Sequence, residues 1–533
     1  MVKWISACAA AWVLVGCASA PPVQDAGQLA KTHGFVHATF PVHDPVDTLQ
    51  GMPDATRLIA VGNSTEYRLT RTTAYGANAH GLWVPAGTYE VRPLKARNGG
   101  AYDTVVVEAG RVTDLGAIVP VPLGNDEVGV VIVQQAEVVA EREAVVAGLR
   151  PYLVSAEPII WSPRVPPKAT KIPSPASNMG LIGQLITEYG RSVQRAPLNA
   201  QLKDAASNDE LLRLARTATV PATDEVAVGE DGAVYWGAAL GQLRVRAPDG
   251  TWSSVDTGTL QAITAVEMNA GRLVAGSDRG EILVGSPGRP DWRRVASLGA
   301  DRTILDIDRV GTRWMVIAAE IKPAGAGLPA PQIQWFEIYT STADDLSGLT
   351  LVHRQDKGFK SHVLNAQHGR GMADGTTYFV HGFDAEPLRV DLNTLAVSTP
   401  KSPTLIWMHA AADRSVLTGA FPGGGWTKVH LSRDHGTTWQ QIDNPPYPIY
   451  DVQFESPTRG YATRWTRGGM FTSDLEFMTY DAARNTWVLD HTAPTGCLRP
   501  LRDARQIHQY CLTRGGSILN WVDGKWQPEF ALN

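Results

Sequence analysis

The sequence predicts a mainly β chain in three parts: a small N-terminal β-sandwich, a helical and Pro-rich connector, and a C-terminal β-propeller of about seven blades. Three observations predict it. Short alternating runs broken by Gly and Pro fill residues 35–123. Helix-like and proline-rich composition interrupts them over residues 136–219. From Val220 onward, β-like runs recur every 40 to 50 residues or so, which is about the period of a four-stranded propeller blade.

In chain order the first part is a signal segment. Met1, Val2 and Lys3 precede an apolar run over residues 4–15, too short for a permanent bilayer span. The run closes Leu14-Val15-Gly16-Cys17, which resembles the bacterial lipobox and implies a diacylglycerol on the Cys17 thiol and cleavage before it. Each buried methylene contributes about 0.8 kcal/mol, so several acyl chains hold a globular body at a membrane. Ala18, by its resemblance to lipoprotein sorting rules, implies the outer membrane. Residues 1–17 are therefore read as the signal peptide with the lipidation site, and 18–34 as a tether.

The sandwich is assigned to residues 35–135, with alternation at 66–69, 82–84, 89–94 and 104–107. Val84-Pro85-Ala86-Gly87-Thr88-Tyr89-Glu90-Val91, followed by the Gly110 hairpin, resembles small β-sandwich modules of bacterial surface lipoproteins. Gly87 and Gly110 are expected to take positive φ, and Tyr89 to pack inward. The connector, 136–219, has helical composition at 136–149, 179–194 and 198–216, with Asn208 placed to cap the last. Prolines 151, 158, 163, 166, 167, 173 and 175 predict an extended link without regular structure.

The propeller is assigned to 220–533. Its units are marked by β-like runs at 232–236, 271–276, 313–316, 377–380, 416–419, 460–463 and 510–512, many closed by a Trp or another aromatic residue. Seven units fit, and six or eight are also admitted. One unit carries Ser432-Arg433-Asp434-His435-Gly436-Thr437-Thr438-Trp439, which matches Ser-x-Asp-x-Gly-x-Thr-Trp throughout. On this motif the region resembles Asp-box (bacterial neuraminidase repeat) propellers, and with residues 449–462 it is similar to propellers of the photosystem II stability/assembly factor type. The resemblance implies that Ser432, Asp434, Gly436, Thr438 and Trp439 are structural. Asp434 would accept backbone hydrogen bonds in the hairpin between outer strands, Gly436 would turn left-handed, and Trp439 would wedge between blades.

Composition narrows the function. The 533 residues are 44% hydrophobic and 19% charged with a net charge of −5, so nucleic acid is not an expected partner. Of four cysteines, Cys8 leaves with the signal and Cys17 is acylated. Cys497 and Cys511 remain as an expected disulfide in an oxidising compartment, against the alternative of two reduced buried thiols. No further ligands at zinc spacing accompany them, and no metal or other cofactor is expected.

Catalytic patterns are sparse. There is no Gly-x-Ser-x-Gly, His-Glu-x-x-His or P-loop, and the Arg-Ile-Pro segment of sialidases is missing. His362, His368 and His381 read as ordinary hydrogen-bonded or solvent-facing histidines. Gly423, Gly424 and Gly425 read as a hairpin tip, and Arg464, Arg467 and Trp465 as strand positions. The expectation is a membrane-anchored, non-catalytic binding or assembly protein whose partner is another envelope protein or a surface polysaccharide. The alternative is an envelope glycan-acting hydrolase of sialidase-like propeller type. Convergent carboxylates and arginines in the channel would favour the alternative.

Overall fold

A computed structural model describes residues 30–41, 56–71, 79–93, 101–124, 127–134, 160–162, 170–173, 196–322, 332–356, 370–381, 388–399, 407–411, 415–423, 426–467, 473–513 and 515–531. The signal segment with Cys17, and the helices expected at 136–149 and 179–194, lie outside these residues.

The N-terminal part is a two-sheet sandwich. One sheet orders Thr170–Pro173, Glu127–Val133, Arg111–Gly124, His33–Thr39, Ala79–Pro85 and Thr70–Arg71, with Ile160–Ser162 paired parallel to the start of Arg111–Gly124. The other orders Glu66–Arg68, Thr56–Ala60, Gly87–Pro93 and Asp103–Val107. In Asp103–Val107 the burial alternates strictly, as a strand with one face on a core requires. Arg111–Gly124 is covered on both faces. Leu115 and Ile118 join the core between the sheets, while Val119, Val121 and Leu123 join a second core shared with the helices and the propeller. This double burial accounts for the nearly unbroken apolar stretch 117–123.

Several expectations change in detail. Tyr89 is buried and its hydroxyl donates to Pro85 O at 2.6 Å. Gly110 takes φ 73°, but Gly87 is not among the positive-φ residues, because it begins a regular strand instead of turning. The proline-rich link contributes two short strands, since Thr170–Pro173 and Ile160–Ser162 lie at places where the sandwich sheet offers unpaired backbone.

The helical pattern over 198–216 resolves into α1 (Ala196–Asp204) and α2 (Asn208–Thr217). Ser207, not Asn208, is the N-cap of α2. Its backbone is extended and its Oγ accepts from Glu210 N at 3.2 Å, while Glu210 Oε2 reaches back to Ala206 N at 2.8 Å. Leu211, Leu214 and Ala215 form the buried stripe of α2. Gly129 allows close approach, because a Cβ there would sit 3.1 Å from Leu211 Cδ2.

From Pro221 on, the chain folds into seven four-stranded antiparallel sheets, each a meander of consecutive strands. We number them blade 1 (221–256), blade 2 (263–297), blade 3 (303–355), blade 4 (370–398), blade 5 (407–441), blade 6 (449–492) and blade 7 (497–530). The first strands of blades 1 to 4 lie side by side in turn around an axis, as do those of blades 5 and 6, and the first strand of blade 7 returns to that of blade 1. The fold is a mainly β propeller of seven blades joined to a β-sandwich.

The propeller has no single core. Apolar side chains gather in wedges between blades, and each of the seven seams has its own cluster among the described residues. Among the described residues no strand is exchanged between blades 7 and 1, and side chains join the two. Trp236 and Trp252 of blade 1 stack at 5.1 Å, Tyr510 of blade 7 meets them edge-on at 6.3 and 6.4 Å, and Phe530 lies 5.5 Å from Trp252. Arg246 lies over Tyr510 and donates to Glu529 Oε1 at 2.9 Å, and Arg499 donates to the Pro221 and Ala222 carbonyls. The same cluster holds the sandwich to the propeller through Leu211 and Leu214. Arg244 of blade 1 completes the joint by donating to Thr219 O, at 2.5 Å, and to Thr217 O at the end of α2.

Trp236→Ala is expected to destabilise the protein by about 3 kcal/mol, the scale of an aromatic truncation in a packed core, since Trp236 is fully buried. The exposed control Leu351→Ala should cost less than about 0.5 kcal/mol. Urea unfolding of both variants checks this, and equal effects would contradict it.

Candidate functional site

The first and second strands bring chemistry-bearing side chains to two places near the axis. The first spans blades 5, 6 and 7. Asp451, on the first strand of blade 6, is buried and accepts from His409 Nε2 of blade 5 at 2.9 Å and from Arg502 Nη2 of blade 7 at 3.0 Å. His508 Nδ1 lies 3.7 Å from the same carboxylate and 3.3 Å from Thr463 Oγ1. Burial opposes ionisation of Asp451, but His409 and the permanent charge of Arg502 prevail and hold its carboxyl well below the usual range. Burial, aided by Arg502 and Arg370 against the pull of Asp451, pushes the His409 imidazole down, so it is a neutral donor to Asp451 at neutral pH.

A small cleft opens outward from Asp451 between blades 6 and 7, with a cavity volume of about 50 Å³. Gln453 and Thr463 form part of its blade 6 wall, Gln509 part of its blade 7 wall, and Asp490 and His491 its outer end. The His491 ring is stacked on both faces, 4.5 Å from Phe477 and 4.3 Å from Trp521. Its Nδ1 lies 2.9 Å from Asp490 Oδ2, and burial lowers its pKa despite that partner.

The second place is acidic and spans blades 2, 3 and 4. Asp306 Oδ2 accepts from Gly371 N at 2.5 Å, and Asp308 Oδ2 from the Tyr378 hydroxyl at 2.5 Å. Burial and the neighbouring Asp306 push Glu267 up to about 8, and burial with Asp306 and Glu267 raises Asp308 well above the carboxylate range. The bonds of Asp306 and Asp308 tie blade 3 to blade 4, with Glu267 of blade 2 beside them. Within blade 3, Glu337 accepts from Arg302 Nε and Arg354 Nη1, both at 2.7 Å, with Trp335 lying under both guanidinium groups.

The first-strand arginines are likewise engaged in joints. Arg370 donates to Leu305 O of blade 3, Arg499 to blade 1 and Arg502 to Asp451. A grip on a substrate carboxylate would need such arginines to project together into open space, and these bond to neighbouring blades.

Residues 432–439 form the turn between the third and fourth strands of blade 5. Asp434 Oδ1 accepts from Ser432 Oγ and Thr438 N, both at 2.8 Å, and Ser432 Oγ accepts from Gly436 N at 2.8 Å. Gly436 has φ 75°, and the Thr438 hydroxyl, donating to Asp434 Oδ2 at 2.5 Å, together with Thr438 N and the Ser432 hydroxyl holds Asp434 ionised at a pKa of about 2. Trp439 packs with Phe379 and Met408 in the seam between blades 4 and 5. His435 Nδ1 lies 2.7 Å from Asp374, and Arg389 Nη2 donates to Gly436 O at 3.0 Å, so the turn also clasps blade 4. Five other blades use an Asp in the same turn: Asp249, Asp291, Asp345, Asp391 and Asp481 each accept a nearby backbone N–H.

Cys497 and Cys511 form a disulfide, with Cα atoms 5.7 Å apart, that joins the first two strands of blade 7. Cys17, His362 and His368 lie outside the described residues. His381 is buried with its Nδ1 accepting from Met408 N at 3.2 Å. Arg464 pairs with Glu476 at 2.6 Å, Trp465 meets Tyr450 edge-on, and Gly423 pairs with Trp426 across the tip of a hairpin. The Asp451 network and the Glu267 cluster were missed from sequence. Their only signal is a carboxylate in a run otherwise suited to burial, as in Ile304-Leu305-Asp306-Ile307-Asp308.

No protein-family profile matches the chain, and no curated relative does. Among solved structures it is similar to a chain of the mitotic checkpoint complex at 12% identity and TM-score 0.37, covering 57% of this chain and 86% of that one. It is similar to the WD40 β-propeller domain of Doa1 at 10% identity and TM-score 0.35, covering 57% and 92%. It is also similar to Saccharomyces cerevisiae Sqt1 at 12% identity and TM-score 0.36, covering 58% and 85%. The architecture rests on the seven sheets themselves.

The raised pKa of Glu267 fixes the sign of a pH effect. Folding favours its protonated form, so its contribution is complete below the unfolded value of 4.5 and is lost as pH rises through about 8. Glu267→Gln, which mimics the protonated form, should leave stability near pH 5 unchanged and raise it by at least about 1 kcal/mol near pH 8.5. Urea unfolding at the two pH values checks this, and an equal effect at both would contradict it.

Proposed function

We propose that the chain is a lipid-anchored, non-catalytic binding or assembly protein of the bacterial envelope, presenting its propeller to another envelope protein or to a surface polysaccharide. One observation carries the non-catalytic part: the buried charges near the axis are bonded across blade seams, so they lock the ring instead of converging on a substrate. The resemblance of residues 14–17 to a lipobox supports the anchor and the outer membrane, and the resemblance of residues 432–439 to an Asp box fits a structural turn. A propeller also suits binding, because radial sheets are rigid and gather many loops on each face.

Labelled palmitate should be incorporated into the full chain in cells and lost in Cys17→Ala. Crosslinking in intact cells should retain one stable envelope partner. Turnover of a sialoside or of cell-surface glycan by the purified protein, with no partner captured, would overturn this reading in favour of the hydrolase.

A further inference from the structure

The chain enters the sandwich at one end. Thr32 O accepts from Ala86 N and His33 O from Gly110 N, both at 2.9 Å, and a Cβ on Gly110 would lie 3.3 Å from Ala30 O. Residues 18–29 are all that lies between Cys17 and Ala30, so at most about 45 Å of extended chain separates a lipid on Cys17 from this end. Arg111–Gly124 starts here and leads to the cluster shared with the propeller, which Val119, Val121 and Leu123 join. From Arg111 to Val119 is about 25 Å of strand, so the propeller meets the sandwich away from the entry end.

The outer face of the second sheet changes character along its length. Nearest the entry, Val61 N donates to Thr88 O at 2.9 Å and Thr88 pairs with Val106, which makes Val61, Thr88 and Val106 one uncharged row. Val61 is 58% and Val106 61% exposed, so more than half of each valine faces solvent, and Ala86 and Ala109 in the adjoining turns are exposed as well. Further from the entry the face turns charged: Ile59 lies between Glu66 and Glu90, and Arg57 lies between Arg68 and Arg92. At the entry end itself Glu108 pairs with Arg111 at 2.8 Å, and the exposed Lys31 adds a cation suited to anionic headgroups.

We propose that this end of the sandwich, Val61 and Val106 with the turns holding Ala86 and Ala109, rests on the surface of the bilayer that holds the Cys17 lipid, and so directs the propeller away from it. The proposal rests on the reading of the chain as lipid-anchored and adds a membrane-contacting surface to it. A tether this short keeps the face beside the membrane, so a contact made by a few apolar side chains is populated without a large area.

The test uses the full acylated chain, reconstituted into phosphatidylethanolamine and phosphatidylglycerol vesicles that carry a nitroxide headgroup lipid. A fluorophore is placed through Ala109→Cys or, as the distant control, through Leu351→Cys on the exposed outer strand of blade 3. Emission at position 109 should fall by at least about half, because an apolar face at a membrane interface sits about 5–10 Å into the headgroup region, while emission at 351 stays unchanged. Adding Val61→Asp and Val106→Asp to the Ala109→Cys chain should cut that quenching at least about twofold with palmitate incorporation and melting temperature unchanged. Both positions face solvent, and either substitution made singly serves if the pair lowers the melting temperature. Equal quenching at 109 and 351, none at either, or quenching at 109 that survives the aspartates would overturn the surface and leave the anchored reading standing. A chain that takes up no palmitate would overturn the anchor, and the surface with it.

Discussion

The whole propeller depends on how its last blade meets its first. Among the described residues every propeller sheet is built from consecutive strands and no backbone ladder closes the ring, so side chains do it. The aromatic group of Trp236, Trp252, Tyr510 and Phe530 supplies the apolar wedge, and Arg246 with Glu529 and Arg499 with two carbonyls supply direction. Aromatic burial is strong but tolerant of sliding, whereas hydrogen bonds to a guanidinium fix register. The disulfide belongs to the same logic, since it ties down the strand that carries both Arg499 toward blade 1 and Arg502 toward blade 6. The sandwich adds a further brace, because α2 packs into this closing cluster and bonds to blade 1 through Arg216 and Arg244.

The other seams vary the same combination. Where the apolar wedge is large, as between blades 3 and 4, a few polar bonds suffice. Between blades 4 and 5 the described cluster is built on Phe379, Met408 and Leu417, and there the turn 432–439 adds Trp439, the His435–Asp374 contact and the Arg389 bond. Between blades 6 and 7 the wedge, built around Phe477 and the disulfide, leaves a small cleft beside it, lined in part by Asp451, Gln453, Thr463 and Gln509.

The blades were legible because their second strands are apolar and their turns regular: runs such as 271–276 and 377–380 fall within second strands. The disulfide was legible because two cysteines 14 residues apart flanked a hairpin. Local signals also misled where tertiary pairing overrode them. Proline-rich segments became edge strands because the sandwich sheet needed partners, and Ser207 displaced Asn208 as cap because Glu210 completes the box one residue earlier. The polar networks were not legible at all. Asp451, His409 and Arg502 are joined only by the curvature of the ring, which spacing along one chain does not encode.

Amide hydrogen exchange on the full chain, comparing the natural protein with Arg246→Ala, tests the closure most directly. If side chains at the blade 7–blade 1 seam close the ring, protection should fall together in blades 1 and 7 and in α2, while blades 3 and 4 keep theirs. A loss confined to the substituted strand, or spread evenly over all blades, would contradict the account.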